Sequence, residues 1–268
     1  MLWSFTKYHA LGNDYIVIDP INLPSPLTPA QVKLICHRNF GVGSDGILLG
    51  PLPSKKAEFG LRIFSRYLWD KKIVGSKEFS VETKGGIVHS TVMTRGKIVR
   101  VEMGNVSFWS DEIPVAGPRR EVINEQIHLR GLQYHFCAAT VGNPHCVLPL
   151  PKISADLAKQ IGPLLETHAR FPNRTNVQLM KVLDRKNIQI EIWERGAGYT
   201  LASGSSSSAS AAVAHKLGLC DREISVHMPG GIIEIEIGDN FSIRMTGGVT
   251  KVADGVLAKE MFGTVVAA

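Results

Sequence analysis

The stretch Ile224 to Gly247, ISVHMPGGIIEIEIGDNFSIRMTG, decides the fold, because Phe79 to Gly104, FSVETKGGIVHSTVMTRGKIVRVEMG, repeats its plan. Each is an alternating apolar segment, a Gly-Gly turn, a second such segment, a short polar turn, a third segment and a glycine. A period of two marks strands, and tight turns join them into antiparallel meanders. Gly85-Gly86 stands against Gly230-Gly231, and Arg95-Gly96 against Asp239-Asn240. The copies begin at residues 79 and 224, 145 positions apart in a chain of 268. That spacing is a domain duplication and is far too long for a solenoid repeat.

Working outward, each meander follows a helical segment, Ser65 to Lys72 in the first half and Ala209 to Leu217 in the second. The expected fold class is therefore α+β, with two similar domains spanning residues 1–113 and 114–248 and a ligand cleft between them. The halves differ at one place. In the second, an alternating strand, Ile188 to Trp193, leads through a Gly/Ser turn into the helix. In the first, a strand read over Phe59 to Phe64 runs directly into SRYLWDKK. A strand and a helix cannot reverse direction without a connection, so a loop is missing at the Phe64-Ser65 junction.

Bulk properties narrow the function. The net charge is +6, but the basic residues are scattered and form no run interleaved with aromatics. This pattern argues against nucleic acid and suits a small anionic partner. No apolar run reaches membrane-spanning length and the N-terminus lacks a signal-peptide pattern, so the expectation is a cytoplasmic protein without a membrane partner. Cys36, Cys137, Cys146 and Cys220 are widely separated, which fits neither a disulfide framework nor a zinc site and implies no metal.

The most chemically suggestive stretch is ERGAGYTLASGSSSSASAAVAHKLG, Glu194 to Gly218. A strand followed by small residues and a helix points unpaired N–H groups at a carboxylate or phosphate. Serine capping of a buried helix explains the same residues without a ligand. Other polar residues sit at turns: Asn13 in HALGNDY, Asn143 and His145 in VGNPHCV, and Asn173, Arg174 and Asn176 in FPNRTNVQ. His145 alone reads more readily as structural than catalytic, and Glu194-Arg195 alone as a surface pair. FGVGSDGILL, Phe40 to Leu49, lacks the GxGxxG spacing and the following helix of a dinucleotide site, so no nicotinamide cofactor is expected. Several asparagines, an arginine and a helix N-terminus together suit a zwitterionic small molecule handled without any cofactor.

In this order FTKYHALGNDYIVID, HRNFGVGSDGILL, VGNPHCV, GPLLETHARFPNRTNVQ, ERGAGYTLASG and MPGG resemble the diaminopimelate epimerase family of cofactor-independent amino-acid epimerases and racemases. The resemblance implies two similar domains, each a mostly antiparallel sheet around a central helix, with a tail, residues 249–268, returning to the first. It implies stereoinversion at the α-carbon of LL- or meso-diaminopimelate or a related amino acid, in lysine and peptidoglycan precursor biosynthesis, and it admits a homodimer. Asn13, Asn143, Asn176 and Arg195 would bind substrate, the N–H groups of Gly204 and Ser205 would cradle the α-carboxylate, and His145 and Glu194 would assist proton transfer.

The departures bear on the chemistry. The family works with two cysteines on opposite faces of the α-carbon. One falls here at Ser203, which is therefore a catalytic candidate, and the other belongs to the missing loop. A serine hydroxyl is a weak base unless another group activates it, whereas a cysteine at a helix N-terminus readily forms a thiolate. Two other readings stay open: an amino-acid-binding homologue with impaired catalysis, and an isomerase of the phenazine-biosynthesis type using Glu194.

Overall fold

A computed structural model describes residues 3–51, 61–83 and 86–263. The chain divides into two compact units, residues 1–100 with 248–268, and residues 101–247. Ile113, read as the end of the first domain, is instead buried in the core of the second unit with Val115, Val122 and Phe136.

The first unit opens with β1 (Trp3–Ala10) and β2 (Asn13–Ile18), turning through left-handed Leu11 and Gly12. Helix α1 (Pro29–Cys36) is started by a capping box between Thr28 and Gln31, and β3 (Gly46–Leu49) runs parallel to β2. Helix α2 (Leu61–Asp70) packs on β1 and β2. The meander follows as β4 (Phe79–Thr83), β5 (Gly86–Met93) and β6 (Ile98–Asn105), the last of which runs on into the second unit from Val101.

One expectation is overturned in this unit. Arg62, Ile63 and Phe64 are not in a strand; they form the first turns of α2, where Ile63 and Phe64 are buried. A short apolar run fits strand and helix equally well by periodicity, and here the helix wins because Leu61 to Leu68 continues one apolar face. The Phe64-Ser65 junction lies inside α2, so the connection there is helical. Phe59 lies outside the described residues.

The second unit contains β7 (Glu125–Leu129), β8 (Leu132–Thr140), β9 (Pro144–Pro149), α3 (Ala155–Glu166), β10 (Asn176–Asp184), β11 (Asn187–Glu194) and β12 (Gly198–Thr200). It continues through α4 (Gly204–Lys216), β13 (Glu223–Met228), β14 (Gly231–Ile237) and β15 (Ser242–Gly248). The strand order is β15-β14-β13-β11-β10-β9-β8-β7, antiparallel except at β9/β10 and β11/β13. Helix α3 covers β10, β11 and β12, and its Leu165 joins Phe136, Leu148 and Leu179 in a core.

Helix α4 begins five residues before the expected Ala209 and explains its own composition. Residues Ser206 to Ala214 are all buried, and strands β8 to β11, β13 and β14 pack around them. A helix buried on every side has no polar face to display, and only small side chains fit among so many strands. Two of its serines bond back one turn along the helix: Ser207 Oγ donates to Ser203 O at 2.8 Å and Ser208 Oγ to Gly204 O at 2.9 Å. The chain then returns to the first unit as β16 (Thr250–Leu257), antiparallel to β1, giving the order β16-β1-β2-β3.

The two meanders match element for element, each with a 3-10 turn between its second and third strands. Arg95 and Asn240, 145 positions apart, both lie in the left-handed region, with φ of 53° and 54°. The pairing read from sequence was one residue out at this turn. Gly85 lies outside the described residues.

Candidate active site in the second unit

Ser203 is the N-cap of α4, with extended backbone at φ −152°, and its Oγ accepts the Ser206 N–H at 3.4 Å. The N–H groups of Gly204 and Ser205, in the first turn, have no carbonyl four residues back within the helix. They lie at the start of a 13-residue helix, where the dipole adds partial positive charge. A Cβ on Gly204 would stand 2.7 Å from the Met245 Sδ, so a larger residue there requires the Met245 side chain to shift.

Asn143 reaches this helix end from the turn before β9. Its Nδ2 donates to Ser205 Oγ at 3.4 Å, while its Oδ1 accepts from His145 Nε2 at 3.0 Å. Ser205 Oγ in turn lies 3.4 Å from Ser203 Oγ. The polar residues of VGNPH and of the Gly/Ser turn thus meet in one chain of contacts.

Asn176 builds a second link. It is the first residue of β10, in register with His145 on parallel β9. Its Nδ2 donates to Pro144 O at 2.8 Å and its Oδ1 accepts the Arg195 N–H at 3.0 Å. Asn176 therefore ties the entrance of β9 to the turn that carries Glu194 and Arg195. The Arg195 guanidinium donates to Asn173 O at 3.0 Å, and Glu194 closes β11 opposite Gly198 of β12. Asn143, His145, Asn176, Glu194, Arg195, Ser203, Gly204 and Ser205 all belong to this unit, whereas Asn13 opens β2 in the other.

Electrostatics separates His145 from the other candidates. It is fully buried, and burial pushes its pKa down to about 3, opposed in part by Gln178 beside the ring and reinforced by the Arg195 charge. A neutral imidazole whose Nε2 is engaged by Asn143 is built to orient that amide. The cysteines hold no thiolate: burial pushes the Cys137 and Cys146 thiols up, Cys146 well up, and Cys36 and Cys220 in the same direction. Among the described residues no group of three or more His, Cys, Asp or Glu is placed to hold a metal ion.

Two residues central to this arrangement were not singled out in the sequence. Glu166, the last residue of α3, is buried; its Oε1 accepts from the Gly196 N–H at 2.9 Å and pairs with Arg174, and its Oε2 accepts from Trp193 Nε1 at 2.6 Å. It holds both flanks of Glu194-Arg195. The signal was a carboxylate in the last turn of a helix, opposed to the dipole there. Gln178, on β10, is fully buried and its Nε2 donates to Ser206 Oγ at 3.0 Å. Its signal was an amide inside the apolar run of a central strand.

A family model described as diaminopimelate epimerase matches residues 5–66 and 137–252. The chain is 62% identical to diaminopimelate epimerase 2 of Nostoc sp., with 97% of each chain covered. It is 36% identical to the diaminopimelate epimerase of Desulfitobacterium hafniense, covering 96% of this chain and 99% of the relative. The alignment to the Nostoc protein runs over 276 positions, more than the 268 residues here, so the relative carries residues that this chain lacks. Among solved structures, a probable proline racemase from Agrobacterium radiobacter superimposes with a TM-score of 0.69 at 14% identity, covering 97% of this chain and 94% of that one. A phenazine biosynthesis protein of the PhzF family from Bacillus anthracis gives 0.64 at 14%, covering 96% and 99%. These two likenesses show the fold, two similar α+β halves.

Proposed function

Because the chain belongs to the diaminopimelate epimerase family, we propose that it is an isomerase acting without a cofactor at the α-carbon of diaminopimelate or a closely related amino acid. The observation that carries this reading is the end of α4, where the first-turn N–H groups of Gly204 and Ser205 flank Ser203 with Asn143 fixed against Ser205. Those N–H groups receive the α-carboxylate, which places the α-carbon beside Ser203 Oγ. Arg195, held by Asn176 and Asn173, binds a polar group of the substrate. Glu194 serves proton transfer, and His145 serves it indirectly, by orienting Asn143. Stereoinversion requires that the α-proton leave one face and a proton return on the other. Ser203 stands on one of these faces. Lysine and peptidoglycan precursor synthesis, cytoplasmic residence and a homodimeric state belong to the same reading, supported by the family alone.

Ser203 favours a second reading. Among the described residues its Oγ has only a hydroxyl and an N–H as partners, with no base bonded to it. Loss of a general base typically costs about 10²–10⁴ in rate. Binding without turnover is the outcome to weigh against slow turnover. The deciding experiment is proton NMR with LL- and meso-diaminopimelate in deuterated buffer, alongside calorimetric titration. Loss of the α-hydrogen signal that disappears in Ser203→Ala supports the isomerase. Saturable binding without exchange supports the binding homologue, and the absence of both for every diamino acid tried overturns the two together.

A further inference from the structure

Two amide side chains, of Asn143 and of buried Gln178, stand against the same imidazole. His145 Nε2 lies 3.0 Å from Asn143 Oδ1, and His145 Nδ1 has no partner. Gln178 stands beside the ring, on the same face of the neighbouring parallel strand two residues beyond the His145 partner Asn176, and its Oε1 likewise has no partner. A neutral imidazole carries one N–H, so it cannot donate to both amide oxygens. Unsatisfied polar atoms at full burial are costly, at about 1–3 kcal/mol each.

Only two hydrogen-bond directions satisfy both sides of the ring, and Ser206 separates them. In the first, the Gln178 carboxamide is turned end for end: Ser206 O–H donates to Gln178 Oε1, Gln178 Nε2 donates to His145 Nδ1, and His145 Nε2–H donates to Asn143 Oδ1. Asn143 Nδ2 then donates to Ser205 Oγ. In the second, every donor and acceptor is reversed, and the Ser206 hydroxyl, fully buried, is left without an acceptor among the described residues. The first direction leaves no orphan.

We propose that Gln178 is a positioning residue that locks His145 in its Nε2–H form and so sets the direction of a relay from Ser206 through Gln178, His145 and Asn143 to Ser205 and Ser203. The consequence lies at the helix end. Ser205, accepting from Asn143, turns its own proton toward Ser203 Oγ, which also accepts the Ser206 N–H. Ser203 thereby presents its hydroxyl as a donor to an incoming ligand. This polarity suits a carboxylate, and it deepens the amino-acid reading, on which its meaning for binding rests.

The test reads the ring nitrogens of His145 by long-range proton–nitrogen NMR on ligand-free, nitrogen-15-labelled protein. The relay requires a protonated Nε2 and an unprotonated, hydrogen-bonded Nδ1. Gln178→Leu removes the donor to Nδ1, and the two nitrogen signals then move toward an averaged, mixed-tautomer position while the amide spectrum stays folded. In Gln178→Glu a carboxylate accepts at Nδ1, so a proton appears there. Diaminopimelate affinity falls about tenfold in Gln178→Leu, the equivalent of one hydrogen bond. A wild-type ring protonated at Nδ1 and bare at Nε2 overturns the proposal, as does a folded Gln178→Leu protein with wild-type ring signals. Because the tautomer is read without ligand, failure of diaminopimelate to bind would count against the amino-acid reading and leave the relay standing.

Discussion

Ser65 and Ser210 are the same residue in two copies. They lie 145 positions apart, each is fully buried within a helix that precedes a meander, and neither hydroxyl has a hydrogen-bond partner. The offset that pairs Phe79 with Ile224 and Arg95 with Asn240 extends back through both helices. It sets Ser203 against residue 58, outside the described residues. A buried hydroxyl without a partner contributes desolvation cost and little else. Ser65→Ala and Ser210→Ala are expected to leave stability unchanged or to raise it by about 1 kcal/mol. Urea denaturation of each variant checks this, and a loss above about 1 kcal/mol would reveal a bond at that hydroxyl.

Glu166 carries the opposite expectation. Its removal leaves Trp193 Nε1 and the Gly196 N–H without an acceptor and Arg174 without its partner. Glu166→Ala should cost about 3–5 kcal/mol, as breaking buried charged networks does. Denaturation measures the loss. If the variant unfolded at the wild-type urea concentration, the carboxylate would have no part in holding the Glu194-Arg195 turn.

His145 predicts a pH dependence of defined sign. Its folded pKa lies near 3, below the ordinary 6.5, so between these values the unfolded chain takes up a proton that the folded one does not. Its contribution to stability is complete above 6.5 and declines as pH falls toward 3. The slope is at most about 1.4 kcal/mol per pH unit. His145→Gln lacks this slope, so the stability difference between wild type and variant should narrow from roughly pH 6 to pH 5. A difference that stays constant with pH would mean that the imidazole is protonated or exposed.

Ser203→Cys tests the electrostatics of the helix end directly. A thiol at an N-cap is stabilised as thiolate, and the four native cysteines, with their raised pKa values, are poor competitors. Alkylation followed by mass spectrometry should give a midpoint about one pH unit or more below 8.5 for Cys→thiolate ionisation at this site. A midpoint at or above the free-cysteine value would show that the helix end does not favour negative charge.

Strand alternation made the meanders legible from the residues alone, because one face of each strand is buried and the period of two survives, as in Ile224, Val226 and Met228 of β13. Of the six motifs, VGNPHCV, GPLLETHARFPNRTNVQ and ERGAGYTLASG hold residues that bond to one another at the Glu194-Arg195 turn and to Ser205 at the start of α4. Periodicity failed where both faces are covered. The Gly/Ser start of α4 carries no stripe for a helix to show, since neighbours surround those residues, and the Arg62-Ile63-Phe64 run of α2 is too short by itself to tell the two periods apart. Gln178 and Glu166 escaped notice for a related reason. Their importance lies in partners far along the chain, Ser206 at 28 positions and Gly196 at 30, and no local pattern records such pairings.

The pairing of β16 with β1 has a consequence for the order of synthesis. Strand β1 begins at Trp3 and its partner ends at Leu257, so the four-stranded sheet of the first unit cannot be completed until residue 257 has left the ribosome. The second unit, residues 101–247, is continuous and has all of its own strands earlier. Contacts between chain ends are the slowest to form, because the intervening loop must close first. The interior unit thus matures while β1 waits with an unpaired edge, the state most exposed to misassociation during expression.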